Sequence, residues 1–248
     1  MEILAVAIQK GGTGKTTTAA ALAQIAAGRG KKVLAVDLDP QANLSLVLGA
    51  DLNRPGCFGL LDGSDPEGLI QKTEAGVDVI VGGLDLVVFG TAPGSGRRLE
   101  TALRPLRSVY DLIVVDTPPT IGELQYNALQ AATRLLIPIQ ADIFGLQSFF
   151  QIYETAEQFQ KSNPDLKIEG IVLTQHSDRN TVSRQMRELI EDQAGSVGVR
   201  VLGSIRPSVA VREAAALRRS LFLHAPKSKP AEDYLALYDA MVAGWKGY

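Results

Sequence analysis

The chain carries one cysteine, Cys57, in 248 residues. No internal disulfide can form, and no metal site built from paired cysteines is available within one chain. Histidine is almost as scarce. His176 and His224 stand far apart in sequence, which argues against a zinc site made from them. Aromatic residues make up only 6%, so any core must be mostly aliphatic. Neither sign of charge dominates: 25 Lys and Arg face 27 Asp and Glu, for a formal net charge of −2. A polyanionic partner would therefore need a local basic patch rather than a global field. No apolar run reaches the length of a membrane span, and no signal-peptide pattern opens the chain. These absences predict a soluble cytoplasmic protein.

What the chain has in abundance is small and branched aliphatic side chains. Hydrophobic residues reach 46%, which suits a parallel sheet buried between helices. Apolar runs over residues 3–8, 33–38, 77–81, 112–116, 134–139, 168–173 and 199–205 read as strands. Helical stretches fall between them, notably at residues 15–27, 147–161 and 182–193. Strands alternating with helices predict an α/β fold with a doubly wound, mostly parallel sheet flanked by helices. Residues 49–76 are glycine-rich and weakly patterned, and read as loop and short helices. No repeat or linker divides the chain, so one domain over residues 1–248 is expected.

Three segments carry chemistry. The first, residues 9–17, reads QKGGTGKTT. It ends as a phosphate-binding P-loop does, but Gln9 stands where the standard pattern has glycine, and an extra lysine, Lys10, follows. Gly11, Gly12 and Gly14 let the backbone turn amides toward an anion across Thr13. The helix that follows adds its positive N-terminal end through Thr17. Lys15 is placed to neutralise β- and γ-phosphates, and Thr16 to ligate Mg2+. The second segment, VDLDPQAN, closes the next strand at residues 36–43, where open α/β sheets bind ligands. Asp37 and Asp39 alternate, so in a strand they share a face. They either serve a metal shell and a water or cap the turn before Pro40. The third segment, LIVVDTPPT at residues 112–120, is an apolar strand ending in Asp116, the pattern of a residue that holds Mg2+ through water.

Together KGGTGKTT, VDLDPQAN and DTPP resemble the deviant Walker A ATPases of the ParA/MinD group. HAPKSKPAEDYLALYDAM, near the C-terminus, resembles the end of small ParA-type partition proteins, so the likeness spans nearly the whole chain. The resemblance implies a P-loop ATPase fold and an ATP-driven homodimer that sandwiches two nucleotides. Lys10 would reach across to the phosphates held by the other subunit. It implies that Asp39 positions the attacking water and that Asp37 supports the Mg2+ shell. It also assigns Arg206, Pro207 and Ser208 to the nucleotide base, although their order departs from the family's Pro-Arg-Asn pattern.

Members of this group differ in partner. Nitrogenase iron proteins need two cysteines per subunit for their cluster, and this chain has one. Membrane-bound MinD proteins end in a basic amphipathic helix. Here the last helix combines Tyr234, Leu235, Leu237, Tyr238, Met241, Val242 and Trp245 with acidic Glu232, Asp233 and Asp239, so a core helix is expected and no membrane partner. Arg206, Arg212, Arg218 and Arg219, with Lys227 and Lys229 behind them, form a basic cluster. Any one of these arginines would suit a solvated helix face. In a chain resembling ParA, the cluster implies phosphate contacts to non-specific DNA. No winged-helix segment precedes the first strand, so sequence-specific operator binding is not expected. The resemblance thus implies partition of a plasmid or chromosome, with a ParB-like centromere-binding or adaptor protein that stimulates hydrolysis and a nucleoid location in the ATP state. A positioning ATPase for a protein cargo such as a chemoreceptor cluster or microcompartment, a MinD-like spatial regulator and a metabolic P-loop enzyme are the alternatives.

Overall fold

A computed structural model describes residues 1–90, 96–179 and 181–245. Eight strands form one sheet: β1 (Glu2–Val6), β2 (Val33–Asp37), β3 (Gln71–Lys72), β4 (Asp78–Ile80), β5 (Leu112–Asp116), β6 (Arg134–Gln140), β7 (Lys167–Thr174) and β8 (Val201–Ser204). Their order is β3-β4-β2-β5-β1-β6-β7-β8. All pairs are parallel except β3 with β4, which is antiparallel. The helices are α1 (Lys15–Gly28), α2 (Asn43–Val47), α3 (Cys57–Leu61), α4 (Val87–Gly90), α5 (Arg98–Leu103) and α6 (Glu123–Ala131). They continue with α7 (Ile143–Gln160), α8 (Thr181–Ser196), α9 (Val209–Ala216), α10 (Leu221–His224) and α11 (Lys229–Val242).

The strands are apolar on both faces because both faces are covered. In β1, Ile3 and Ala5 point to one core while Leu4 and Val6 point to the other. The first core holds Leu124 of α6, Phe149 and Ile152 of α7 and Ile190 of α8. The second is closed by the alanines of α1 and by Tyr234, Leu237, Tyr238 and Met241 of α11. Small side chains let α1 lie close to the sheet; Ala19, Ala23 and Ala26 are fully buried. The expected core stripe of the last helix is present except at Leu235, which turns outward. No helix among the described residues is long and apolar enough to cross a membrane.

Two expectations need correction. Residues 49–76 are not only loop and short helix, since they include edge strand β3, two residues long. Helix α7 starts four residues earlier than residue 147, because the Asp142 side chain caps it by accepting from the Gly145 amide. The corner also demands Gly145: a Cβ there would lie 2.1 Å from the Gln140 carbonyl oxygen.

Chain order reverses around β1, which lies between β5 and β6, while β2 lies beyond β5. Such a switch point opens a crevice at the carboxyl ends of the strands, and the segment 9–17 leaves β1 into that crevice.

Candidate nucleotide site

Residues 11–17 line a cavity of about 680 Å³, together with Asp39, residues 205–209, Arg212 and Tyr234. The volume is that of a small-molecule site, for which about 300–1,000 Å³ is usual. Gly12 (φ 73°) and Gly14 (φ 83°) take left-handed backbone that other residues rarely adopt. Gly14 is also the N-cap of α1, so no side chain covers the first amides of that helix. They face the crevice with the positive end of the helix dipole behind them.

Lys15 is buried, and its Nζ donates to the Lys10 carbonyl at 2.9 Å. Burial lowers its pKa, an effect opposed by Asp116 and Asp39. Thr16 Oγ1 donates to Asp116 Oδ2 at 2.7 Å. Register pairing sets Asp37 beside Asp116 at the ends of adjacent strands. Both are fully buried. Burial first, and each other's charge next for Asp116, push these carboxyls up, Asp37 to about 6. Asp37 accepts from the Ser45 amide and hydroxyl and from the Asp39 amide. Gly82 packs on this turn so closely that a Cβ would lie 2.6 Å from the Asp39 carbonyl oxygen.

Asp116 Oδ1 is buried without a hydrogen-bond partner. A carboxylate pair with one orphaned oxygen beside a threonine hydroxyl fits Mg2+, a hard cation that prefers oxygen ligands. Among the described residues no three His, Cys, Asp or Glu side chains converge as a cage. That donor set suits an ion completed by phosphate oxygens and water.

The predicted residues are distributed unevenly about this centre. Asp37 and Asp39 do not share a strand face, because β2 ends at Asp37. Asp39 sits in the following turn, accepting from the Gln41 amide at 2.9 Å and reaching the cavity from there. Lys10 Nζ points to Asp142 of the same chain and lies 5.7 Å from the centre of the Phe144 ring. Pro207 and Ser208 line the cavity wall, and Ser208 caps α9.

Arg206 lines the cavity, and its guanidinium and amide are engaged by Asp233. Arg212, Arg218 and Arg219 do not share a helix face. Helix α9 ends at Ala216, and Arg218 adopts φ 50° in the turn beyond it. All three are exposed, and among the described residues none has an ion-pair partner, but Arg212 faces the cavity.

Sequence reasoning missed Gln140, Asp142, Thr174 and Gln175. Each stands at the carboxyl end of a strand next to the loop, a position visible only once strand order is known.

A loop of this geometry, on β1 of a doubly wound sheet, with a strand-end carboxylate bonded to its threonine, defines a phosphate-binding-loop nucleotide-hydrolase fold. Comparison with known proteins narrows this. The AAA domain family matches residues 1–168. The chromosome partitioning protein ParA of Caulobacter vibrioides is 34% identical, over 96% of this chain and 92% of its own length. The chromosome-partitioning ATPase Soj of Thermus thermophilus is 35% identical, over 97% and 95%. A solved structure of cobyrinic acid a,c-diamide synthase from Mycobacterium smegmatis, with bound ATP analogue and magnesium, superposes with a TM-score of 0.81. It is 30% identical and covers 100% of this chain and 96% of that one. The chain belongs to the AAA domain family, on the ParA/Soj chromosome-partitioning branch. The family match stops at residue 168, whereas the sheet continues through β7 and β8.

Proposed function

We propose that this chain is a ParA-type ATPase of DNA segregation. The observation that carries the proposal is the Thr16–Asp116 hydrogen bond beneath an amide-lined loop, with a second lysine, Lys10, at the rim. ATP and Mg2+ occupy the cavity. Lys15 neutralises the β- and γ-phosphates. Thr16, with Asp116 and Asp37 behind it, holds the ion. Asp39 orients the attacking water. Lys10 serves the nucleotide of a second subunit, acting on transferring charge as an arginine finger does. The ATP-bound homodimer doubles the exposed Arg218 and Arg219 patch, with Arg212 nearby, and grips non-specific DNA, which places it on the nucleoid. A ParB-like centromere-binding or adaptor protein stimulates hydrolysis, which is slow without it, and the DNA is released. A plasmid or a chromosome is the cargo.

The synthase neighbour supports a second reading, a metabolic ATP-dependent enzyme on the same site. Binding to random-sequence duplex DNA separates the two. It is measured with ATP, with ADP and without nucleotide, across a salt series. Salt-sensitive binding seen only with ATP, kept by Asp39→Ala and lost by Lys10→Ala, supports segregation. An ATP-dependent dimer with no DNA binding in any state rejects the DNA half. It leaves a positioning ATPase for a protein cargo or a small-molecule enzyme.

A further inference from the structure

Backbone polar groups that leave water need a partner, and the carbonyls of the phosphate loop have theirs. One of its carbonyls is taken by its own lysine and two are taken from outside. The Lys10 carbonyl accepts from Lys15 Nζ at 2.9 Å. The Gly12 carbonyl accepts from two side-chain amides, Gln140 Nε2 at 3.2 Å and Gln175 Nε2 at 3.4 Å. The Thr13 carbonyl accepts from Thr174 Oγ1 at 2.8 Å. The amides are different. Among the described residues, those of Gly11, Gly12, Thr13 and Gly14 donate to no protein acceptor. Peptide planes are rigid, so a carbonyl tied outward turns the amide of the next residue inward. Three donors on the ends of β6 and β7 thus set which side of the loop faces the cavity.

Packing and strain agree. Thr174 is buried, and its methyl group would lie 3.4 Å from a Cβ at Gly14, so the residue is wedged against the loop it bonds. Gln175 takes φ 51°, left-handed backbone costly for a residue with a side chain. That conformation puts its amide over Gly12.

We propose that Thr174, Gln140 and Gln175 are positioning residues for the phosphate loop. They hold its amides toward polyphosphate before any ligand arrives. The proposal rests on the nucleotide reading of the cavity. Its ligand class is an oligophosphate anion, and the clamp acts on the phosphate part alone.

The test titrates the full chain and its variants with Mg2+ and ATP, and separately with Mg2+ and tripolyphosphate, which lacks base and sugar. Losing one of these hydrogen bonds is expected to weaken ATP roughly two- to tenfold. Thr174→Val should show that loss for both ligands by the same factor, and Thr174→Ser should restore it. Gln175→Ala, at an exposed position that threatens folding less, should show a smaller loss of the same kind. Gln175→Gly should raise the unfolding midpoint of the free protein while still weakening ATP, because strain is relieved but the amide is gone. ATP and tripolyphosphate bound as tightly by Thr174→Val and Gln175→Ala as by the wild type would overturn the clamp alone. A loss of ATP affinity with tripolyphosphate unaffected would also overturn it. A wild-type chain that bound neither ligand would overturn the nucleotide reading as well.

Discussion

Lys10 Nζ lies 3.1 Å from each carboxylate oxygen of Asp142. Asp142 caps α7 with the same carboxylate, and the Phe144 ring lies beside the ammonium. A lysine that serves a second subunit must first leave this grip. The pair is partly exposed, at 24% and 41%, so it is worth only about 0.2–1 kcal/mol. Asp142→Asn keeps a good N-cap residue and removes the charge. It is expected to leave the fold intact and to shift ATP-dependent dimerisation to lower protein concentration, by up to about fivefold per subunit. Sedimentation velocity with ATP at several concentrations measures the shift. An unchanged curve would mean that the ion pair does not restrain the dimer.

Thr16 and Asp116 make the second testable contact. Thr16→Val preserves shape but removes the hydroxyl that Asp116 Oδ2 accepts from, and with it the ligand proposed for the ion. Wild-type ATP affinity should rise when Mg2+ is added. In the variant that increment should vanish, while metal-free ATP binding changes little. Calorimetric titration with and without Mg2+ reads both. A variant that kept its Mg2+ increment would remove Thr16 from the ion's shell.

How much of this was legible in the sequence follows the range of each interaction. The P-loop is local: glycines at 11, 12 and 14 and the helix after them declare themselves without any fold. The strand carboxylates Asp37 and Asp116 were legible because apolar runs ending in aspartate mark strand ends. Asp39 was placed on a strand because alternation continues through Leu38, yet the Asp39 amide folds back to Asp37 and closes a turn instead. Arg206 was assigned to the nucleotide base and to DNA without its ion pair, because Asp233, 27 residues later, is brought to it only by the packing of α11 beside β8. Gln140 and Thr174 end strands β6 and β7 and Asp142 caps α7, all more than 120 positions from the loop they touch, and nothing local marks them.

The buried carboxyls predict a pH effect. Burial raises Asp37 to about 6, so between its ordinary value and about 6 the folded protein holds a proton that the unfolded chain releases. Without metal, this group therefore favours folding at acid pH, and its contribution is lost as pH rises through about 6. Mg2+ reverses the preference by favouring the carboxylate. The gain in unfolding midpoint on adding Mg2+ to the ADP complex should be larger at about pH 7.5 than at about pH 5. Thermal scans with ADP, with and without Mg2+, read it. An increment equal at both pH values would place the ion away from Asp37.

The arginines make the sharpest distinction on the surface. Each DNA phosphate neutralised contributes about 0.9 to the slope of log affinity against log salt. Arg218 and Arg219 are exposed and have no ion-pair partner among the described residues. Replacing either by alanine should lower the slope by about 0.9 per subunit contact and weaken all DNA sequences alike. Arg206 should behave differently. Its guanidinium meets Asp233, which is itself largely buried, so Arg206→Ala strips a partner from an internal carboxylate. That variant is expected to lower the unfolding midpoint while leaving the salt slope where it was. Arg212 faces the cavity, so Arg212→Ala should weaken ATP binding before it weakens DNA binding. Fluorescence anisotropy on random-sequence duplex DNA, with saturating ATP and a salt series, separates the three behaviours. A slope lowered by Arg206→Ala and untouched by Arg218→Ala or Arg219→Ala would move the DNA face from the α9–α10 turn to the start of α11.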